Sequence, residues 1–204
     1  MDSLNKITEL FRQFPGIGPR QAKRFAYFLL FKDSSYRTEL SRLIKALPSD
    51  IVECQSCCRF FPKRSSLLCT LCSDPNRSDA ECMVVARDTD LDAIEKSGSF
   101  NGRYFVLGGT IPLIERKSAE KVRTQELIAL VEKKVAAGTL SEIILALSAN
   151  PDGEHTADTL RELLTPLIPK NVTISVLGRG LSTGSELEYA DAETIKSALK
   201  NREH

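Results

Sequence analysis

Two Cys-x-x-Cys pairs, Cys54-Gln55-Ser56-Cys57 and Cys69-Thr70-Leu71-Cys72, stand eleven residues apart and constrain the fold of this chain more than any other feature. Each pair sets two thiols on one side of a tight turn, and two facing turns complete a tetrahedral set of four sulfurs. That geometry favours Zn2+, one per chain, and a closed set of four ligands marks a structural rather than a catalytic ion. A segment this short buries little apolar surface, so the ion would supply much of its folding free energy. Two disulfides would suit an oxidising compartment, not a reducing cytosol. A thioredoxin-like redox role uses a single Cys-x-x-Cys opening a helix in a βαβ unit, not two facing copies. Cys58 sits beside a ligand and could replace Cys57 in a shifted register. Cys82 lies in the apolar run Cys82-Met83-Val84-Val85-Ala86 and reads as a buried strand residue.

The second informative stretch runs from Leu10 to Phe25. Apolar residues recur at helical spacing before it (Leu4, Ile7, Leu10, Phe11, Phe14) and at its end and beyond (Phe25, Ala26, Leu29, Leu30). Between them lies Pro15-Gly16-Ile17-Gly18, a tight turn. The second helix then opens with Arg20, Lys23 and Arg24. Glycines let the backbone approach a ligand without a Cβ in the way. A helix N-terminus offers free N–H groups and the positive end of a dipole to an anion. Beside three cations, that geometry suits a nucleic-acid phosphate. The pattern resembles a helix-hairpin-helix motif, which grips the DNA backbone without reading its sequence. The plain alternative is an αα-hairpin with a glycine turn and a solvated basic face. Gly16, Ile17, Gly18, Arg20, Lys23 and Arg24 are the expected DNA-contacting residues.

At 204 residues, 42% of them apolar, the chain can build one large or two small domains. No apolar run approaches the roughly 20 residues that span a bilayer. Met1-Asp2-Ser3-Leu4 leads into an amphipathic helix rather than a secretory signal, so a soluble, cytoplasmic protein is expected. Net charge is +1, but its distribution is uneven: residues 1–80 carry a net +5 and residues 81–204 a net −4. A basic front half suits DNA, and an acidic back half suits a basic protein surface.

From residue 82 onward strand-like and helix-like stretches alternate. Strands are expected at Cys82–Ala86, Arg103–Leu107, Glu142–Leu147 and Val172–Leu177. Helices are expected at Leu91–Lys96, stopping at Gly98, near Ala119–Ala136, and at Thr156–Leu167. Such alternation implies an α/β domain with a mostly parallel sheet covered on both faces. Ligands of such sheets gather at the carboxyl ends of the strands. Three loops qualify there: Arg87–Asp90, Gly108-Gly109, and Ala149–Glu154. Asp88, Asp90, Asp152 and Glu154 offer hard oxygens of the kind Mg2+ uses. Asp88-x-Asp90-x-Asp92 lacks the following glycine and the twelfth-position Glu of an EF-hand. Gly178-Arg179-Gly180-Leu181-Ser182-Thr183-Gly184 follows a strand, yet too little chain remains for a dinucleotide-binding βαβ unit. There is no phosphate-loop sequence ending in Gly-Lys-Ser/Thr. His155 and His204 are the only histidines, and no Cys/His or Ser/His pairing marks a nucleophile.

A helix-hairpin-helix, a four-Cys pair of knuckles and an acidic α/β domain, in that order, resemble the RecR family of bacterial recombination mediators. The likeness covers essentially the whole chain. It is carried by Leu10…Phe14-Pro15-Gly16-Ile17-Gly18-Pro19…Ala22…Arg24, by the four cysteines, and by Ala93-Ile94-Glu95…Gly98. It continues through Gly102-Arg103-Tyr104-Phe105-Val106-Leu107-Gly108-Gly109, Asn150-Pro151…Gly153-Glu154…Thr156-Ala157 and Gly184…Leu187-Glu188-Tyr189…Asp191. The resemblance implies a Toprim-like α/β domain, a homo-oligomer (a tetrameric ring around DNA, with a dimer as the smaller alternative) and no catalytic activity. It also implies work with RecO, and with RecF, to displace single-strand-binding protein and load RecA on gapped or single-stranded DNA. In such proteins RecO docks on the Toprim face, where Asp152 and Glu154 match the acidic pair.

Departures from the pattern are specific. Ala86 stands where Toprim enzymes carry a Glu at the end of the first strand. The loop after Asn150-Pro151 is two residues shorter than usual, and Ile114-Glu115-Arg116-Lys117 replaces a Gly-rich turn. The expected division is a helix-hairpin-helix domain at 1–50, a four-Cys zinc finger at 51–78, a Toprim-like domain at 79–176 and an oligomerising C-terminal segment at 177–204. Two rivals are a Mg2+-dependent Toprim nuclease or primase-like phosphotransferase using Asp88, Asp90, Asp152 and Glu154, and a zinc-ribbon adaptor that binds protein alone. Phosphoryl transfer of the two-metal kind needs several carboxylates, so Ala86 counts against the first.

Overall fold

The computed structural model describes residues 2–114, 122–178, 184, 186–190 and 192–200. The chain divides into two compact units that meet in sequence at Val52 and Glu53. The first is helical: α1 (Ser3–Arg12), α2 (Pro19–Phe31) and α3 (Ser34–Asp50). Asp2 caps α1 by accepting the Asn5 N–H, and Asp33 caps α3 by accepting the Tyr36 N–H. The α1–α2 seam is built on small residues and edge-on rings. Ala22 and Ala26 let the helices approach, and the Phe11 ring meets those of Phe14 and Phe25 with centroids 5.7 and 5.8 Å apart. Among the described residues of this unit, only Ala22 and Ala26 are fully buried. Leu10, Phe14, Leu30, Phe31, Ile44 and Leu47 stay exposed, so three helices alone do not bury their own apolar faces.

The second unit is an α/β sandwich. Strands β3 (Glu81–Val85), β4 (Arg103–Val106), β5 (Glu142–Ala146) and β6 (Thr173–Val176) form a wholly parallel sheet in the order β4-β3-β5-β6. Near-continuous apolar runs such as Cys82–Val85 suit a sheet covered on both sides. On one face Leu127 and Val131 of α6 (Thr124–Ala136) and Leu160 and Leu164 of α7 (Pro151–Leu164) pack on Val84, Phe105, Ile143 and Leu145. On the other, Leu91 of α5 (Asp88–Ser97) packs on Met83, Val85, Tyr104 and Val106. Cys82 is fully buried in β3, as its apolar surroundings imply. Glu95 of α5 is structural: it pairs with Arg77 and accepts the Tyr104 hydroxyl at 2.7 Å, while Arg77 also donates to the Gly102 carbonyl. Helix α8 (Ala192–Lys200) closes the described chain.

Two expected loops are helical instead. Residues 151–154 form the first turn of α7, five residues ahead of the expected start at Thr156. Asn150 caps that turn by accepting the Gly153 N–H at 2.8 Å, Pro151 takes the first position, and Asp152 and Glu154 sit at the positive dipole end. Residues 88–90 likewise open α5, because the Asp90 carboxylate accepts the Arg87 N–H at 2.9 Å. Gly98, at φ +67°, ends α5 where expected. The expected helix near 119–136 begins at Thr124 among the described residues; positions 119–121 lie outside them, as do 115–117 and 179–183. Single 3-10 turns occur at Thr165–Leu167 and Leu187–Tyr189, and no strand follows β6 among the described residues.

The start of α7 tolerates no side chain at residue 153. A Cβ there would lie 2.0 Å from the Ser148 carbonyl oxygen, a backbone atom that cannot swing away. Gly153→Ala should therefore lower stability by about 1–3 kcal/mol, as overpacking does. Urea unfolding should show it as an earlier midpoint with an unchanged slope.

Candidate nucleic-acid interface and metal centre

The elbow between α1 and α2 is made by two glycines with different tasks. Gly16 sits at φ +73°, the left-handed region that a side chain disfavours, and lets the Ile17 N–H return to the Phe14 carbonyl at 3.1 Å. Gly18 is ordinary extended backbone at φ −79°, and a Cβ there would meet nothing within 4 Å. No neighbour among the described residues makes glycine sterically necessary at 18. Its effect is to leave the approach to the helix start bare. Pro19 fills the first helical position, and the first ladder bond runs from the Ala22 N–H to the Gly18 carbonyl at 3.0 Å. No side chain caps α2. The amides of Arg20 and Gln21 therefore point outward at the positive dipole end. Arg20, Lys23 and Arg24 are exposed around them, and none forms an ion pair among the described residues. All six expected residues lie on one elbow and the first turns of one helix. Together they can hold an anion by amide, dipole and charge.

The four cysteines come together as expected. The Sγ atoms of Cys54, Cys57, Cys69 and Cys72 all lie within 4.8 Å of one another. A cation bound at ~2.3 Å to four tetrahedral sulfurs needs S···S edges of about 3.8 Å. The Cys57–Cys69 pair stands at 3.6 Å, so the set is positioned to bind a metal ion. Hydrogen bonds from Cys57, then Cys69 and Cys72, hold the Cys54 thiol far below its ordinary range, while hydrogen bonds from Cys54, then Cys69 and Cys72, push Cys57 far above it. The Cys69 N–H also donates to Cys54 Sγ at 3.3 Å, which favours the thiolate a metal would take. Short strands β1 (Ile51–Glu53) and β2 (Phe60–Pro62) bracket the first knuckle, and α4 (Thr70–Ser73) opens from the second.

Residues that the spacing of cysteines did not expose anchor these knuckles to the sheet. Cys58 is no spare ligand: it is 7% exposed, its thiol joins the core beside Phe105, and burial first, then Glu53, pushes that thiol up to about 11. It is also the one non-glycine at positive φ among the described residues, at 59°. In the second knuckle the residue after the second cysteine, Ser73, is helical instead. The Val106 N–H of β4 donates to the Cys57 carbonyl at 2.8 Å. Arg103 of β4 grips the second knuckle through the carbonyls of Leu71 and Cys72 at 2.9 and 3.2 Å. Arg123 ties the Val106 carbonyl to Glu53.

The carboxylates at the strand ends are largely committed. The carboxyl ends of β3 and β5 are neighbours, in the register Val85 to Ala146. Asp88 accepts the Phe60 N–H at 2.9 Å, Asp90 accepts the Arg87 N–H, and Asp92 pairs with Arg59 at 3.3 Å. One Asp152 oxygen accepts the Leu113 N–H at 3.1 Å, and Glu154 is exposed on the same turn. Ala86, where a Toprim enzyme would carry Glu, is buried.

A helix-hairpin-helix unit followed by a four-thiol segment and a parallel Toprim-type sheet defines a composite class of protein. Family models agree in the same order: RecR, helix-hairpin-helix over residues 4–47; Toprim domain over 80–178; and RecR, C-terminal over 180–203. A recombination protein RecR of Legionella pneumophila is 35% identical over 202 residues, covering 99% of this chain and 98% of its own. Those of Dehalococcoides mccartyi and Chloroflexus aggregans are 34% and 36% identical over 201 and 197 residues, covering 98% and 97% of this chain and 94% and 91% of theirs. The chain belongs to the RecR family. No helix among the described residues is long and apolar enough to cross a membrane.

Removing the metal should loosen the knuckles and spare the sheet. After chelation, hydrogen exchange should quicken at the amides of Cys54, Cys58 and Ser73, whose bonds to Arg59, Cys54 and Cys69 carbonyls hold the turns. The β3 and β5 amides should stay protected. Equal loss in both would contradict local metal control.

Proposed function

We propose that this protein is a sequence-independent DNA-binding clamp in recombinational repair, not an enzyme. The observation that carries the reading is the bare helix start: uncapped amides beside Arg20, Lys23 and Arg24, reached past a glycine that no described neighbour makes sterically necessary. The relatives' name, recombination protein RecR, supplies the process. Within it, the chain works with RecO, and with RecF, to load RecA on gapped or single-stranded DNA, and the turn bearing Asp152 and Glu154 on the 79–176 segment is the docking face for RecO. Zn2+ is the metal of the four thiolates, where it would hold the 51–78 segment in shape. The setting is the bacterial cytoplasm.

One elbow neutralises few phosphates, and non-specific Kd values then sit around 10⁻⁴–10⁻⁶ M. Linking several elbows raises effective concentration and can improve avidity by about 10²–10⁴. An oligomer therefore belongs to the mechanism. Its support is the open apolar groove of about 720 Å³ among α1, α2 and α3, lined by Ile7, Leu10, Phe14, Leu29, Leu40 and Ile44, which a second copy would cover. A tetramer suits encirclement, and the 177–204 segment is the second self-contact.

The rival reading, a Mg2+-dependent Toprim phosphotransferase, draws on the family model for the sheet. Ala86 and the backbone bonds of Asp88 and Asp90 weigh against it. Purified protein with Mg2+ or Mn2+ should leave labelled duplex, gapped and single-stranded DNA intact; cleavage would favour the enzyme.

Two substitutions test the clamp. Arg20→Ala with Arg24→Ala should weaken binding to all sequences alike and flatten the salt dependence by about 2 in slope. Sequence-selective loss would contradict a backbone grip. Gly18→Ala should cost about 1 kcal/mol of stability or less, because Ala is a poorer N-cap than Gly, while lowering DNA affinity by about tenfold, or 1.4 kcal/mol. Gly16→Ala should instead cost about 1–2 kcal/mol of stability through its left-handed backbone.

A further inference from the structure

The outward face of α2 does not end with its cations. At 3.6 residues per turn, Arg20, Lys23, Arg24, Tyr27 and Phe31 fall on one stripe about 100° wide. The opposite side carries Ala22, Phe25, Ala26 and Leu29, which pack inward or line the groove. Phe31 is 89% exposed, the most open large apolar side chain among the described residues, and Tyr27 is 42% exposed. Neither ring packs on another aromatic ring among the described residues, whereas Phe28, on a neighbouring line, meets Tyr36 edge-on and carries Lys32 over its ring while staying 47% exposed. Lys23 Nζ lies 6.0 Å from the Tyr27 centroid. So the stripe begins with anion-holding groups and, within roughly 16 Å along the axis, ends in two rings one helical turn apart.

We infer that this stripe binds an unpaired DNA strand, its phosphates held at the elbow and its bases stacked on Tyr27 and Phe31. The inference rests on the phosphate grip proposed for Arg20, Lys23 and Arg24 and adds a preference for single strands. Three cations without carboxylate partners suit a polyanion better than a second copy of the same stripe. A flat aromatic ring beside cations is the stacking platform of single-strand binders, and it accepts any base because every base has a π face. A closed duplex offers phosphates but keeps its base faces inside the stack.

The test uses the full-length protein with labelled oligo-dT and a blunt duplex of equal length. Tyr27→Leu with Phe31→Leu should lower oligo-dT affinity by roughly tenfold or more, the scale of base–aromatic stacking, and leave duplex affinity within about twofold. The chain has no tryptophan. Phe31→Trp therefore gives a single reporter, whose emission should be quenched by oligo-dT and not by duplex. An unchanged oligo-dT affinity, equal loss for both DNAs, or a change in solution mass of the leucine variant would each overturn the stacking proposal; the last would assign the stripe to self-contact. Arg20→Ala with Arg24→Ala separates the two readings. If that variant keeps duplex affinity while the leucine variant loses oligo-dT, the elbow reading fails and stacking stands.

Discussion

The start of α2 governs the helical unit. Gly16 turns the chain at positive φ, Gly18 enters the helix without a cap, and Pro19 sets its first residue. Those three choices decide which side of α2 meets α1 and which side is left for an anion. A Ser or Asp at position 18 would satisfy an orphan amide from within and is the commoner solution at helix starts. Taking glycine there instead forgoes only about a few tenths of a kcal/mol of local stability. That cost is offset where a phosphate supplies the missing acceptor. On the proposed reading, function and fold are in tension at this one residue.

The α/β unit shows the reverse relation between scaffold and chemistry. It keeps the parallel sheet of a Toprim domain, with Ala86 in place of the first-strand Glu, and the carboxylates Asp88, Asp90 and Asp92 near it serve local structure. Asp88 receives a backbone amide from β2, Asp90 closes a helix cap, and Asp92 pairs with Arg59. A carboxylate tied to a neutral amide still carries charge, yet its geometry is fixed by the fold rather than by an incoming cation. The four-thiol segment is built into the same framework through Cys58 in the core and Arg103 across the knuckle carbonyls. The four-thiol cluster and β4 consequently stabilise each other.

Much of this was legible in the residues. The cysteine spacing foretold the four-sulfur cluster, and alternating apolar runs foretold the parallel sheet with helices on both faces. The glycine elbow was legible as well, because Gly and Pro act locally. What local pattern could not supply were partners distant in sequence: Val106 for Cys57, Arg103 for Leu71 and Cys72, and Phe60 for Asp88. The reading of 88–90 and 151–154 as loop failed for a local reason. Asp90 was weighed as a ligand and Asn150 as one residue of a loop, when the first use of each is capping. The division of labour between Gly16 and Gly18 also needed coordinates, since only φ and the space around a Cβ distinguish them.

The most direct test of the central claim watches the helix start itself. In an amide-resolved NMR titration of the protein with short duplexes of unrelated sequence, the Gly18, Arg20 and Gln21 N–H signals should shift first, and identically for each duplex. If those amides stay fixed while others across the α/β unit move, the elbow does not hold the DNA backbone and the account is wrong.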